Sequence, residues 1–152
     1  MGEITTLDQR TTKITMVKFW HKRLSNISDF AEIGEDSTIH CAVHIHDTVK
    51  IGERCQIEAG AFLPNGVVLE DDVFIGPFVV FTNDPKLNSS RDKWEPTSTL
   101  VKNGARIGAN STIRAGVTIE ENAIVGCGSV VLKDIPANEV WGGNPARFIR
   151  SI

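Results

Sequence analysis

The sequence predicts an all-β solenoid, a parallel β-helix whose short strands stack from one turn to the next. A large apolar residue occupies every sixth position in two series, first Ile27, Ile33, Ile39, Ile45, Ile51, Ile57, Leu63, Leu69, Ile75 and Phe81, and then Val101, Ile107, Ile113, Ile119, Val125 and Val131. Four residues after nearly every member stands a small or β-branched residue, as at Val43, Ala61 and Ala105. Neither an α-helix, with a period of 3.6, nor a single strand, with a period of 2, keeps a period of six for so long. A coil of short parallel strands does.

The fourth position of each unit favours residues that tolerate a positive φ angle, which is what a sharp corner between short strands requires. These residues are Gly60, Gly66, Gly104, Asn110, Gly116, Asn122 and Gly128. Three units per turn make a triangular prism in which residues 18 apart lie above one another. The repeats then fill roughly five turns stacked at ~4.8 Å.

The chain divides into three parts around one loop. Residues 1–26 precede the repeat and are expected to be an extended leader that adds a strand or arm to a neighbour. Residues 27–136 form the prism, and residues 137–152 form a C-terminal tail. Between Phe81 and Val101 the spacing of six residues becomes twenty, so about fourteen residues are inserted into the coil. They form a protruding loop at about 83–100. Loops of that length in compact folds are usually functional or disordered, and Trp94 argues against simple disorder because a large aromatic side chain is normally anchored.

Composition limits the range of partners. The 16 basic and 19 acidic residues leave a net charge of −3, which gives no reason to expect nucleic acid or an anionic membrane. No apolar run approaches the ~20 residues that span a bilayer. Three widely spaced cysteines fit a reducing compartment, so we expect a cytoplasmic protein.

Outward-pointing residues become apolar in the middle of the repeat. The sixth positions there are Phe62, Val68, Phe74 and Val80, with Phe78 nearby, whereas earlier and later sixth positions are mostly polar. A patch of this kind usually marks an interface. We therefore expect self-association along the prism axis, and the three-sided shape favours a cyclic trimer.

Two motifs carry a resemblance to a known family. Gly follows the apolar residue at Ile51, Ile75, Ile107 and Val125, and the C-terminal part reads Gly-x-Gly-Ser-Val-Val-x-Lys-Asp-Ile-Pro over 126–136 and Gly-Asn-Pro-Ala-Arg over 143–147. Over about residues 27–150 the chain resembles the hexapeptide-repeat acyltransferases. The resemblance implies a left-handed β-helix, a trimer, and acetyl-CoA bound in the groove between adjacent prisms.

A narrower resemblance lies around the loop. Residues 76–83 read Gly-Pro-x-Val-Val-Phe-Thr-Asn, and residues 99–105 read Thr-Leu-Val-Lys-x-Gly-Ala. Both segments are similar to the nucleotide-linked amino-sugar N-acetyltransferases. This branch acetylates an amine on a hexose carried by a nucleoside diphosphate, commonly for surface polysaccharides such as lipopolysaccharide.

Asn83 is the first catalytic candidate. Family O-acetyltransferases commonly place a His at the opening of this loop, but here no His follows His46. An amine is already nucleophilic near neutral pH, so a strong base is less necessary, and Asn83 is expected to orient it through the side-chain carbonyl. Asp84 is a second candidate, as a base or as a countercharge to an ammonium. O-acetylation of a sugar hydroxyl remains the alternative.

His44 is the remaining catalytic candidate. It occupies an outward sixth position in the column of Phe62 and Val80, and it is expected to assist a neighbouring subunit's site. Hexapeptide carbonic anhydrases bind metal through three histidines, but the histidines of this chain end before the middle turns. No metal site is therefore predicted.

The cofactor and substrate contacts are assigned to six residues. Lys133 and Arg147 are cations that can meet the phosphates of coenzyme A. Gly108 and Gly126 share a column, where the absent Cβ would let an extended pantetheine arm approach the backbone. Arg91 in the loop is assigned to the diphosphate of the nucleotide sugar, and Phe81 of the Phe-Thr-Asn element to the substrate. A rigid scaffold without chemistry stays open as a non-enzymatic alternative.

Overall fold

The computed structural model describes residues 2–7, 14–21, 24–87 and 95–152. Twenty strands make a parallel β-solenoid of about six turns, which confirms the predicted fold class. Among the described residues there is no helix of the length and apolarity needed to cross a bilayer.

The strands form the three walls of a prism. Wall 1 is the six-stranded sheet of β3 (Asn26–Ile27), β6 (His44–Ile45), β9 (Phe62–Leu63), β12 (Val80–Phe81), β15 (Thr112–Ile113) and β18 (Val130–Val131). Wall 2 is the five-stranded sheet of β4 (Glu32–Ile33), β7 (Lys50–Ile51), β10 (Val67–Leu69), β13 (Thr99–Val101) and β16 (Thr118–Ile119). Wall 3 is the nine-stranded sheet of β1 (Gly2–Leu7), β2 (Ile14–Phe19), β5 (Thr38–Ile39), β8 (Gln56–Ile57), β11 (Phe74–Ile75), β14 (Arg106–Ile107), β17 (Ile124–Val125), β19 (Glu139–Gly142) and β20 (Arg147–Ser151).

The strand register fixes the turn at 18 residues. On wall 1, His44 pairs with Phe62, and on wall 3, Gln56 pairs with Phe74. Across the loop the offset grows to 32 residues, as in the pairing of Val80 with Thr112, because the loop adds fourteen residues to one turn. Above the loop the offset returns to 18 residues.

The six-residue period fills the interior. From Ile39 to Val131 every member of the apolar series is at most 4% exposed, and only Ile27 and Ile33 of the first turn are partly buried. The small residues four positions later are buried with them. Each fully buried aliphatic side chain stabilises the fold by ~1.5–3 kcal/mol, so repetition of one modest contact makes the core.

The corners follow the predicted backbone conformation. All seven residues predicted to favour positive φ have φ between 57° and 91°. We name the three corners by their residues. The loop corner joins walls 1 and 2 and carries Asn83, the acidic corner joins walls 2 and 3 and carries Asp72, and the glycine corner joins walls 3 and 1 and carries Gly108.

The acidic corner is a closed ionic network. Arg54 binds Asp72 through two hydrogen bonds of 2.8 and 2.9 Å, and it also binds Glu53 at 2.8 Å. These contacts raise the pKa of Arg54 and lower the pKa of the Asp72 carboxyl. Because the guanidinium is already engaged by carboxylates, this corner is structural.

Antiparallel hairpins extend wall 3 at both ends. At the N-terminal end β1 pairs with β2, and β2 pairs with β5 of the same chain. The leader thus adds its strands to its own prism. At the other end β19 continues the wall in parallel and β20 folds back against it. These strands explain why the solenoid has about six turns instead of the roughly five that the repeats alone predict.

The outward apolar residues form a belt instead of the predicted patch. Phe62 and Val80 lie on wall 1, Val68 on wall 2 and Phe74 on wall 3, because consecutive sixth positions fall on successive walls. Phe78, at the glycine corner, is 62% exposed and Val80 is 39% exposed. The largest apolar exposure of this belt therefore lies along the edge where the glycine corner meets wall 1.

Glycines at the glycine corner allow consecutive turns to approach closely. An added Cβ on Gly108 would lie 2.6 Å from the backbone nitrogen of Cys127 and 2.8 Å from the carbonyl oxygen of Val125. On Gly126 the same atom would meet nothing nearer than 3.5 Å, at the carbonyl oxygen of Trp141. Coil packing therefore requires glycine at the first position and leaves the second free to vary.

We predict that Gly108→Ala destabilises the protein by about 1–3 kcal/mol, because backbone atoms cannot move aside as a side chain can. Gly126→Ala is the matched control, and its midpoint of thermal unfolding is expected to stay within about 2 °C of the wild type. Thermal unfolding followed by circular dichroism measures both. Equal stability of the two variants would contradict the packing argument.

A second prediction concerns the thiols. Cys55 is fully buried, and burial raises its pKa, so it stays protonated and unreactive at neutral pH. Cys127 is exposed. A thiol-specific disulfide reagent is expected to label Cys127 in the native protein and Cys55 only after denaturation. Mass spectrometry of the labelled peptides checks this, and rapid native labelling of Cys55 would contradict the assigned register.

Candidate functional site

The loop leaves the prism through a hydrogen-bonded neck at the loop corner. The Thr82 hydroxyl donates to the carbonyl of Ile113 at 3.3 Å and accepts from the backbone of Ala115 at 2.9 Å. On the returning side, the backbone of Thr97 donates to the carbonyl of Asn83 at 3.0 Å. The residues that open and close the loop are therefore fixed to the prism.

Asn83 sits half-buried in this neck, directly above Asn65 of the preceding turn. Its side-chain amide donates through Nδ2 to the carbonyl of Asn65 at 3.4 Å. No described residue donates a hydrogen bond to its Oδ1. Among the described residues, the amide is thus tethered through its nitrogen alone, which is the polarity that orienting an amine requires.

The other loop candidates have different surroundings. Asp84 accepts from the backbone of Lys86 at 2.9 Å, which stabilises the first turn of the loop. Its carboxylate therefore has a structural contact beside Asn83. Arg91 lies outside the described residues.

Phe81 is buried in the core, contrary to its assignment as a substrate contact. Its side chain is 1% exposed and stands in the inward series of β12. A fully enclosed ring cannot touch a substrate, so the role of Phe81 is packing beneath the loop.

Three of the four proposed coenzyme residues share the glycine corner. Gly108 and Gly126 follow β14 and β17, and their backbones stack on the turns above them. Gly142 continues this column, and Arg147 pairs with Gly142 across the terminal hairpin. The Arg147 side chain is exposed, with a described contact to the carbonyl of Ala146. Glycines and a terminal cation therefore line one edge of the prism.

Lys133 lies elsewhere, above the loop corner. Its ammonium is 4.8 Å from the centre of the Trp141 ring, which closes the end of the core at 7% exposure. This cation–π contact gives Lys133 a structural role at the end of the prism. The structure does not bring Lys133 to the corner of Gly108 and Gly126.

His44 is not close to Asn83 within the chain. Its ring lies beside Phe62, with ring centroids 6.1 Å apart, and His46 packs edge-on against the same ring at 5.2 Å. His44, Phe62 and Val80 stack in consecutive turns of wall 1. His44 therefore lies about 10 Å below the height of Asn83 along the axis.

The histidines also point to different parts of the surface. His40 stands at the glycine corner, where its ring stacks on Trp20 at 5.7 Å and its Nε2 lies 3.5 Å from Glu58. Within the described ranges, no group of three His, Cys, Asp or Glu side chains is arranged to hold a metal ion.

The two groups of candidates occupy opposite edges of wall 1. Asn83 stands at the loop corner, where the chain leaves wall 1, and Gly108, Gly126 and Arg147 stand at the glycine corner, where the chain enters it. A wall of about six residues, up to ~20 Å along the backbone, separates them. The candidate residues of one chain therefore fall into two groups, here called half-sites, that face away from each other.

A groove of about 500 Å³ opens on wall 3, away from both half-sites. It is lined by Arg54, Gln56, Asp72, Val73, Phe74 and Arg106. Since Arg54 and Asp72 are bound to each other, the groove is a hollow beside the acidic corner, and neither sequence motif contributes to it.

Phe78 is a candidate site residue in addition to those predicted from the sequence. It stands at the glycine corner with φ of 55°, a conformation that bulky residues rarely adopt. The signal was present in the sequence, because Phe78 holds a fourth position where the neighbouring turns place Gly60, Asn110 and Gly128.

The repeats on both sides of the loop are similar to those of known proteins. The sequence profile of the bacterial transferase hexapeptide family (six repeats) matches residues 30–65 and 98–133, on both sides of the loop. Galactoside O-acetyltransferase of Escherichia coli is 34% identical over 140 residues, which are 86% of this chain and 69% of that relative. The dTDP-3-amino-3,6-dideoxy-alpha-D-galactopyranose 3-N-acetyltransferase of Aneurinibacillus thermoaerophilus is 60% identical over 50 residues, 33% of this chain and 26% of that enzyme.

Among solved structures, PerB from Caulobacter crescentus in complex with CoA and GDP-perosamine superposes with a TM-score of 0.73. Its sequence identity is 23%, and the match covers 88% of this chain and 58% of PerB. The chain thus spans about a quarter of the Aneurinibacillus relative and little more than half of PerB. The periodic core, the profile match and the similarity to galactoside O-acetyltransferase together show that the chain belongs to the hexapeptide-repeat transferase family, with the left-handed parallel β-helix as its fold.

Proposed function

We propose that this protein transfers an acetyl group from acetyl-CoA to the amine of a nucleotide-linked amino sugar, at sites formed between the subunits of a cyclic homotrimer. One observation carries the proposal. The candidate residues of a chain lie at the loop corner and the glycine corner, on opposite edges of wall 1, so a site that uses both groups requires two chains.

A cyclic assembly with its axis parallel to the prism would join these half-sites. Wall 1 then faces inward, and the loop corner of one copy meets the glycine corner of the next. The exposed apolar residues Phe78 and Val80 lie along this edge, which supports its burial. The acidic corner and its ionic network are left facing solvent.

The column of glycines suits a coenzyme arm. Gly76 precedes β12 and Asn83 follows it, so the two residues lie in the same turn. Gly108, Gly126 and Gly142 continue the column upward through three more turns, ~14 Å at ~4.8 Å a turn. A thioester placed at the height of Asn83 would direct its arm along these residues toward Arg147. Gly126, which coil packing leaves free to vary, marks the position where an added Cβ would meet that arm.

In the reaction, the amine nitrogen attacks the thioester carbonyl carbon. A C–N bond forms, the C–S bond breaks, and the nitrogen loses a proton while the thiolate gains one. Asn83 Oδ1 accepts a hydrogen bond from the amine and points its lone pair at the carbonyl. Orientation is the contribution asked of this residue, because a neutral amine needs no strong base.

The position of the histidines favours an amine over a hydroxyl as acceptor. A hydroxyl must lose its proton to a base within hydrogen-bond reach. All four histidines of the chain precede Asp47 in the sequence, and His44 remains ~10 Å below Asn83 in any closed ring, since rotation about the axis changes no heights. O-acetylation, the activity named for the Escherichia coli relative, would need a base other than histidine at this height, and the described carboxylate beside Asn83 is Asp84.

The activity is tested by incubating the protein with acetyl-CoA and a panel of nucleotide-linked amino sugars while thiol release is followed. We expect turnover with at least one amino sugar and none with the corresponding hydroxyl sugars. A protein that gains no thermal stability from acetyl-CoA and releases no thiol would be a scaffold, and the proposal would fail.

We predict that Asn83→Ala lowers kcat about 100-fold, because a misoriented nucleophile loses the benefit of alignment. Its unfolding temperature should change little, since the lost hydrogen bond to Asn65 is long at 3.4 Å. Asn103→Ala is the matched control: Asn103 accepts from the backbone of Asp71 at 3.1 Å on the acidic corner. Near-normal turnover of the Asn83 variant would remove this residue from the mechanism.

We predict a molecular mass of three chains in light scattering at micromolar concentration, with cross-linking between the loop of one copy and the glycine corner of another. Val80→Asp, which places a charge on wall 1, is expected to break the assembly and abolish turnover together. Gln56→Asp on wall 3 is the control and should do neither. A monomeric wild type that retains full turnover would contradict the inter-subunit site.

A further inference from the structure

Resting on the proposed function, we propose that Phe78 of one subunit completes the acceptor site of its neighbour by packing its ring against the sugar beside Asn83. Three independent observations on Phe78 lead to this residue: its backbone conformation, its exposure and its height on the prism.

The conformation is costly for a phenylalanine. Phe78 has φ of 55°, in the left-handed region, whereas the turn below uses Gly60 and the two turns above use Asn110 and Gly128. Ala42, two turns below, shares this conformation with a side chain of one carbon, so Phe78 is the large side chain at this corner. A glycine would relieve this strain without altering the fold. Strain of this kind concentrates at functional sites, and an observed outlier is a sound starting point for a functional hypothesis.

The ring is held in place yet open to a ligand. A Cβ added to Gly60 would lie 2.5 Å from Cδ1 of Phe78, so the ring lies over the α-carbon of the turn below. The residue is nevertheless 62% exposed. Gly60 therefore provides a flat seat, and the opposite side of the ring faces away from its own chain.

The height of Phe78 matches that of Asn83. The two residues flank the same strand, β12, each two positions outside it, and are five positions apart in an 18-residue turn. Their heights on the prism axis therefore differ by only ~1–2 Å. Closed rotational symmetry keeps heights unchanged, so the glycine corner that meets Asn83 of one copy presents Phe78 of the next.

The acceptor sugar is the group that this position would contact. Asn83 orients the amine, so the pyranose ring that bears the amine lies nearest to it. A hexose exposes a face of C–H groups, which packs well against an aromatic ring. From a thioester at the height of Asn83, the coenzyme arm runs upward along Gly108 and Gly126, so it leaves the turn of Phe78 and lies beside the turns above it.

The test compares Phe78→Gly with Ala42→Gly in the full assembly. Ala42 stands at the same corner two turns below, is exposed, and has φ of 57°, so both changes relieve the same strain. Both variants are expected to be at least as stable as the wild type. Only Phe78→Gly should raise KM for the acceptor, by about tenfold, with KM for acetyl-CoA unchanged. Phe78→Trp, which keeps an aromatic face, should recover most of the loss.

Mixed assemblies test whether the contact crosses the subunit boundary. Phe78→Gly chains and Asn83→Ala chains, unfolded together and refolded at equal amounts, form a site with both residues intact wherever an Asn83→Ala chain presents its Phe78 to a Phe78→Gly chain. Random assembly puts about one quarter of the sites in this state. Because Phe78→Gly acts on the acceptor KM, the mixture is assayed well below that KM. There kcat/KM should rise to about a quarter of the wild-type value, above the average of the two parent assemblies. Residues acting within one chain would give no recovery.

Each other outcome is decisive. Unchanged acceptor KM in Phe78→Gly would overturn the assignment, and so would dissociation of the assembly, which would make Phe78 a subunit contact only. If the wild type acetylates no amino-sugar nucleotide, the proposed function itself has failed. If the wild type acetylates an amino-sugar nucleotide and Phe78→Gly has the same acceptor KM, the inference about Phe78 fails and the proposed function stands.

Discussion

Everything in this molecule depends on the ladder that joins each residue to the one 18 positions later. That register places each apolar residue of the series directly above the one in the turn below, on all three walls. It also aligns the corners of successive turns with one another. The buried ladder also explains how a loop can be inserted while the strand register on either side of it is preserved. The offset between Val80 and Thr112 absorbs the extra residues in a single turn, and the register resumes above it. A rigid frame of this kind can hold the two ends of a long loop at a fixed height along the prism axis.

The same frame explains why the candidate site is divided. Catalysis needs groups that converge, but the outer surface of a convex prism makes side chains diverge. Asn83 and Gly108 are held firmly at different corners, and no adjustment within one chain can bring them together. In the proposed assembly, convergence comes from the surface of a second copy. The apolar edge at Phe78 and Val80, next to the glycine column, is a surface of that kind.

The sequence predicted most of the fold because its information is periodic and local. Burial, corner conformation and turn length all follow from one spacing, and they could be assigned without knowing any neighbour. Predictions failed where tertiary contacts decide. Lys133 was placed with the coenzyme residues by its position in a motif, but the end of the core at Trp141 holds it. Phe81 shows the reverse error, since its place in the inward series already marked it as core. The N-terminal strands belong to no repeat, so only the structure could assign them to the chain's own wall 3.

The hairpins at the two ends of wall 3 have a consequence for growth. A parallel solenoid that ended on bare strands would offer each end as a template for another copy, and head-to-tail stacking would produce filaments. Here β1 and β20 are both antiparallel to the strands that they cover. A second copy therefore cannot continue the parallel strand order of the solenoid on this wall. Polymerisation along the column is thereby discouraged, and the open sides of the prism remain as the surface through which copies can associate.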